Sequence, residues 1–177
     1  MKENNLESNN IYEILKNDLL AEKISPEYFG DKLFELDQSS PERKACFENE
    51  KILLDEEVSK YFKQEEELQK KYFRFLGFTQ FHIAQNLVGN NQEEALIYFE
   101  KSLESSLKGE SDDPWIAYVE GTISYLKGQK IGEEVIERSI VKDGSSKQNN
   151  TKILESFNKG LEERGKPSYY EDYANIS

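Results

Sequence analysis

Along most of the chain, apolar side chains return every three or four positions, the spacing of a helix with one face against a core. Ile11, Ile14, Leu15 and Leu19 share a face and predict a helix from about Ser8 to Ala21. Tyr28, Phe29, Leu33 and Phe34 predict a second from Pro26 to about Leu36, weakened locally by Gly30. From Pro41 to Val88 only Gly77 interrupts helix-forming sequence, a span too long for one helix of a small domain. A break is expected near Asp55, because Glu56 and Glu57 suit the positive end of a helix dipole. Leu54, Val58, Tyr61, Leu68 and Tyr72 then continue one stripe, with Glu65 standing on it where an apolar residue is expected.

From Phe73 to Val88 the apolar positions spread nearly all round the helix, which predicts an element sandwiched between others. Further helices are predicted over about Gln92–Leu107, Pro114–Lys127, Ile131–Val141 and Thr151–Arg164, with Ser145-Ser146 and Asn149-Asn150 marking the loop before the last. Ser25-Pro26, Ser40-Pro41 and Asp113-Pro114 each place a capping side chain before a proline, and Asn91 with Glu94 forms a variant capping box. No period-two alternation competes. The fold class is all-α.

A shift of forty positions aligns two helix-turn-helix segments: Phe75 with Trp115, Leu76 with Ile116, Phe78 with Tyr118, Ile83 with Ile123. Beyond the glycine turns at Gly89 and Gly128, Glu93-Glu94-Ala95-Leu96 meets Glu133-Glu134-Val135-Ile136. The run AQNLVGNNQEEALIYFEKSL, Ala84 to Leu103, resembles the tetratricopeptide family in its small helix-A residue, Gly-Asn turn and Glu-Glu-Ala opening, with Phe99 four residues after Ala95. The second copy keeps Trp115 but has Val135 for the alanine and Ser139 for the aromatic residue. The family period is nearer to about 34 residues and its closing proline is missing here. The resemblance implies antiparallel helical hairpins stacked as a short array with flanking capping helices. Residues 1–72 would cap one end, 73–141 would hold the two hairpins, and 142–177 would supply a last helix and a tyrosine-rich tail. Tyr169, Tyr170 and Tyr173 suit either packing over the last helix or a docking segment.

Composition narrows the function. In 177 residues, 12% are aromatic, which argues against disorder. A net charge of -12 repels phosphate backbones and anionic lipid, so neither nucleic acid nor membrane is expected as a partner. The polar stretch Met1–Asn10 lacks an apolar signal core, and no run of about 20 apolar residues occurs, so a cytoplasmic address is expected.

Cys46 and His82 are the sole residues of their kinds, which excludes disulfide frameworks, multi-Cys zinc sites and His-His metal sites. Thr79 stands three before His82, so the Glu-x-x-His pairs of helical di-iron proteins are missing. His82, among Phe78, Phe81 and Ala84, reads as a packed or hydrogen-bonded residue, and Cys46 as a small buried hydrophobe. No phosphate-binding loop, dinucleotide fingerprint or nucleophile elbow occurs. No catalytic residue, metal or cofactor is expected.

The leading expectation is an interaction module that binds a peptide or helix of another protein, basic if the acidic surface guides it, with homo-oligomerisation open. In tetratricopeptide arrays the groove is lined by the first helix of each pair. The resemblance therefore implies contacts from Phe78, His82 and Gln85 and from their counterparts Tyr118, Thr122 and Tyr125. Phe78, Tyr118 and Tyr125 suit an ordinary core equally well. Two alternatives stand beside this: a small-ligand pocket or enzyme site between the helices, and an acidic regulator masking a basic protein surface.

Overall fold

The computed structural model of the protein describes residues 3–40, 43–140 and 148–174, and these are all helix, turn and loop with no strand among them. Ten helices follow in order among the described residues: α1 Glu3–Leu20, α2 Pro26–Ser39, α3 Ala45–Leu53, α4 Glu56–Phe62, α5 Glu66–Leu87, α6 Gln92–Lys108, α7 Asp113–Leu126, α8 Glu133–Arg138, α9 Gln148–Arg164 and α10 Tyr169–Ala174. Ser40, expected to open a helix with Pro41, is instead the C-cap of α2, and α3 starts only at Ala45. Pro41, the helix end at Val141 and the loop at Ser145-Ser146 lie outside the described residues.

Local chemistry sets most boundaries. Ser25 caps α2 by accepting from the Tyr28 amide, with Pro26 at the first helical position. Asp55 caps α4 and Asn91 caps α6, its side-chain oxygen accepting from the Glu94 amide while its amide nitrogen donates to the Glu94 carboxylate. Two expectations need correction. Asp112, rather than Asp113, caps α7, accepting from the Trp115 amide at 3.2 Å. Asp113 lies inside the first turn and pairs instead with Arg138 at 2.7 Å. The break expected near Asp55 is there, but the stripe from Val58 through Glu65 to Tyr72 is not one helix: it is broken again between Phe62 and Glu66. Phe62 is pinned between Phe29 and Tyr72, so the chain must turn after it, and Glu65 ends up exposed at the mouth of α5.

The helices surround two apolar cores. Tyr12, Leu19, Phe29, Leu33, Ile52, Leu53, Val58 and Phe62 from α1–α4 meet Tyr72 and Leu76 from the first half of α5. The second half of α5 gives Phe81 and Ala84 to the other core, with Phe99 from α6, Tyr118, Val119, Ile123 and Tyr125 from α7, Leu154 and Phe157 from α9, and Tyr169 from α10. The division expected at residue 72 therefore lies inside α5, a helix common to both cores. This is the helix whose apolar residues lay nearly all round it, and neighbours on several sides are the reason.

A short turn joins α5 to α6, and the two pack along their length as an antiparallel hairpin. Small residues allow the close approach. A methyl group on Gly77 would come within 2.7 Å of Ser106 Oγ, and Ser102 Oγ donates to the Gly77 carbonyl at 2.8 Å. The second hairpin is cut short: α8 has only six residues, and α9 packs against α7 beside it.

A polar seam runs between the cores where α3, α5 and α6 meet. Gln80 Nε2 donates to Glu50 at 3.3 Å, and Ser105 Oγ donates to Gln80 Oε1 at 2.8 Å. Burial, with Glu50 beside it, pushes the Tyr98 hydroxyl up to about 12. Buried polar groups need such partners, and here they also fix the register of α3 against the hairpin.

Candidate functional site

One face of the molecule carries a row of aromatic rings contributed by three helices. Phe34 of α2 meets Phe78 of α5 edge-on with centroids 5.8 Å apart, and Phe78 meets Trp115 of α7 at 4.3 Å. Phe34 is exposed, and Phe78 and Trp115 are half-buried, so the row is partly open to solvent. The rings stand where they do because of their helix positions. Trp115 lies in the first turn of α7, and its indole N–H donates to Ser106 Oγ of α6 at 2.9 Å, which locks its orientation.

Beside this row lies a groove of about 600 Å³ lined by Arg74, Phe78, Glu110, Pro114 and Trp115, among others. Arg74 is anchored by its Nε, which donates to the Gly109 carbonyl at 2.7 Å. Its terminal nitrogens have no carboxylate partner among the described residues. Glu110 on the same rim is already paired, with Lys70 at 3.1 Å. The groove thus offers aromatic surface and a guanidinium available for charge pairing.

The six residues expected to face a partner divide sharply. Tyr118, Thr122 and Tyr125 are buried in the second core, sealed by α9 and α10. Thr122 Oγ1 bonds back to the Tyr118 carbonyl at 2.8 Å, and Tyr125 stacks on Phe157 at 4.1 Å while its hydroxyl donates to Asp172. Burial raises the pKa of both tyrosines. These three reach no groove, because the C-terminal helices occupy the face that a longer array would leave open. Gln85 is half-buried and tied to Arg43 and to the Tyr169 hydroxyl. Of the six, only Phe78 lines the groove.

His82 turns away from the groove toward α2, where its Nδ1 contacts the Asp37 carboxylate. Cys46 of α3 donates its S–H to the other oxygen of the same carboxylate. Asp37 and Cys46 are buried and His82 is nearly so. The carboxylate therefore sits between thiol and imidazole, unlike a relay in which the imidazole touches the nucleophile. Burial first, and then Asp37, push the Cys46 thiol well up, which keeps it protonated at neutral pH; Arg43 opposes this weakly. Tyr12 lies nearby, its hydroxyl pushed up to about 12 by burial and then by Asp37, Cys46 and Glu48.

Linear spacing leaves Cys46 and His82 isolated and does not mark Asp37, Arg74 or Trp115 as site residues. Asp37 carried a signal: with Phe29 and Leu33 it forms a four-residue spacing along the buried face of α2, where an acid needs a partner. Among the described residues no helix is long and apolar enough to cross a membrane. Comparison with protein-family models, with curated proteins and with solved structures finds no match.

Proposed function

We propose that the protein is a helical-hairpin interaction module, tetratricopeptide-like in construction, that binds a peptide segment of another protein in the Arg74–Phe78–Trp115 groove. The observation that carries this reading is the row Phe34–Phe78–Trp115, three rings from three helices left partly exposed along an open groove. Aromatic residues that pack side by side yet remain accessible are the usual anchors of recognition surfaces. The net acidity of the chain favours basic partners in general, but the groove itself presents a guanidinium. Its fitting ligand is a peptide with an apolar anchor for the rings and a carboxylate for Arg74.

Trp115 is the only tryptophan, so its emission reports on the groove alone. Peptides selected by display against the folded chain are expected to shift that emission on binding. Affinity should fall at least tenfold with Phe78→Ala or Arg74→Ala in protein whose helix content is unchanged. Selected peptides that bind both variants as tightly as the parent, without moving the emission, would remove the groove from the function.

A further inference from the structure

The one cysteine and the one histidine of the chain, far apart in sequence, meet at a single buried aspartate. We propose that Asp37, Cys46 and His82 are three ligands of a site for one divalent transition-metal cation of the zinc class, holding α2, α3 and α5 together. A carboxylate oxygen, Sγ and an imidazole nitrogen all lie within 4.8 Å of one another. A tetrahedral zinc with sulfur at about 2.3 Å and nitrogen or oxygen at about 2.0 Å keeps its ligands about 3.2–3.6 Å apart. Closing the set around a cation is therefore a matter of side-chain adjustment on three rigid helices.

The donor chemistry selects the class of ion. One sulfur, one nitrogen and one oxygen suit zinc or cobalt, whereas calcium and magnesium take oxygen ligands almost alone. Charge agrees: thiolate and carboxylate together neutralise a divalent cation, so the filled site buries no net charge. As the sulfur–metal bond forms, the thiol proton leaves to solvent and the imidazole gives a neutral lone pair, with no change of oxidation state. His82 is the ligand nearest the surface, with 12% of its side chain exposed and the Gln38 amide 3.3 Å from its Nδ1. A fourth ligand, water, would enter on that side.

The site lies next to the aromatic row. Phe34 precedes Asp37 by three residues on α2, and Phe78 precedes His82 by four on α5, so a bound ion clamps the two helices one turn from the Phe34–Phe78 contact. The metal assignment does not depend on what the groove binds.

Titration of the untagged, metal-stripped full chain with cobalt(II) tests the site. One equivalent should bring in a thiolate-to-cobalt charge-transfer band in the near ultraviolet and strong visible bands of four-coordinate cobalt, all bleached by zinc. Since Cys46 is the only cysteine, Cys46→Ser should abolish the charge-transfer band while the far-ultraviolet helix signal persists. Asp37→Asn and His82→Ala should each weaken cobalt binding at least tenfold. A fully helical parent protein that gives no such band with several equivalents of cobalt overturns the site, as does a band whose affinity His82→Ala leaves unchanged. Should a variant fail to fold, the parent alone decides: zinc is expected to raise its melting temperature, and an unmoved melting temperature counts against the site.

Discussion

Asp55 joins two helices with one carboxylate. Its Oδ1 accepts from the Glu57 and Val58 amides at 2.9 and 3.3 Å, closing the open end of α4, while Oδ2 meets Lys16 of α1 at 2.6 Å. The Lys16 ammonium, and then the two amides, hold the Asp55 carboxyl below the usual aspartate range against an opposing effect of burial. A carboxylate with a depressed folded pKa adds stability above its unfolded value, and that stability is lost as pH falls through the folded one. Asp55→Ala is therefore expected to cost about 1–2 kcal/mol in urea unfolding at pH 7. The gap between parent and variant should narrow as pH drops below 3.8, the ordinary value. Asp55→Asn, which keeps an acceptor for the cap, should lose less. Residues of this kind were the most legible in the sequence. Ser25, Asp55 and Asn91 act on amides two or three positions away, so their role is written locally; Asp113 for Asp112 is a shift of a single residue at a helix mouth, while Ser40 closes α2 instead of opening α3.

At the scale of elements, what decides placement is contact at a distance. The tyrosine-rich tail forms α10 and folds back on α9, where the Asp172 carboxylate lies against Gly160 and is held by Tyr125 and Arg164. A methyl group on Gly160 would overlap the Asp172 carboxylate. Gly160→Ala should thus push α10 off its seat at a cost of about 1–3 kcal/mol. Limited proteolysis should then cut within residues 169–174 faster than in the parent. A variant as resistant as the parent would mean that α10 has slack to shift without leaving α9. Helix existence was readable from periodicity, but length and neighbours were not. The second repeat copy suggested a full partner for α7. The short α8 and the seat taken by α9 come from packing that a forty-residue offset cannot express. The burial of Tyr118, Thr122 and Tyr125 has the same origin. Their stripe is helical in either reading, and only the arrival of α9 and α10 turns it from a groove wall into a core.

The whole molecule is two cores threaded on one helix, and the candidate sites lie beside the stretch of α5 where one core gives way to the other. Fold class was legible because all-α periodicity survives any arrangement of the helices. The meeting of Asp37, Cys46 and His82 was not, since it requires three helices to converge and no spacing along the chain encodes that. Leu76 packs in one core and Phe81 in the other, with Gln80 in the polar seam between them. If either core loosens alone, the surviving one still grips this stretch. Hydrogen exchange under native conditions should therefore find the amides from Leu76 to Ala84 exchanging only through global unfolding. Those of α1 and α10, each bound to a single core, should exchange through smaller openings and respond less to denaturant. The middle of α5 would then set the slowest clock in the protein, and its exchange rate would read out the stability of the entire chain at once.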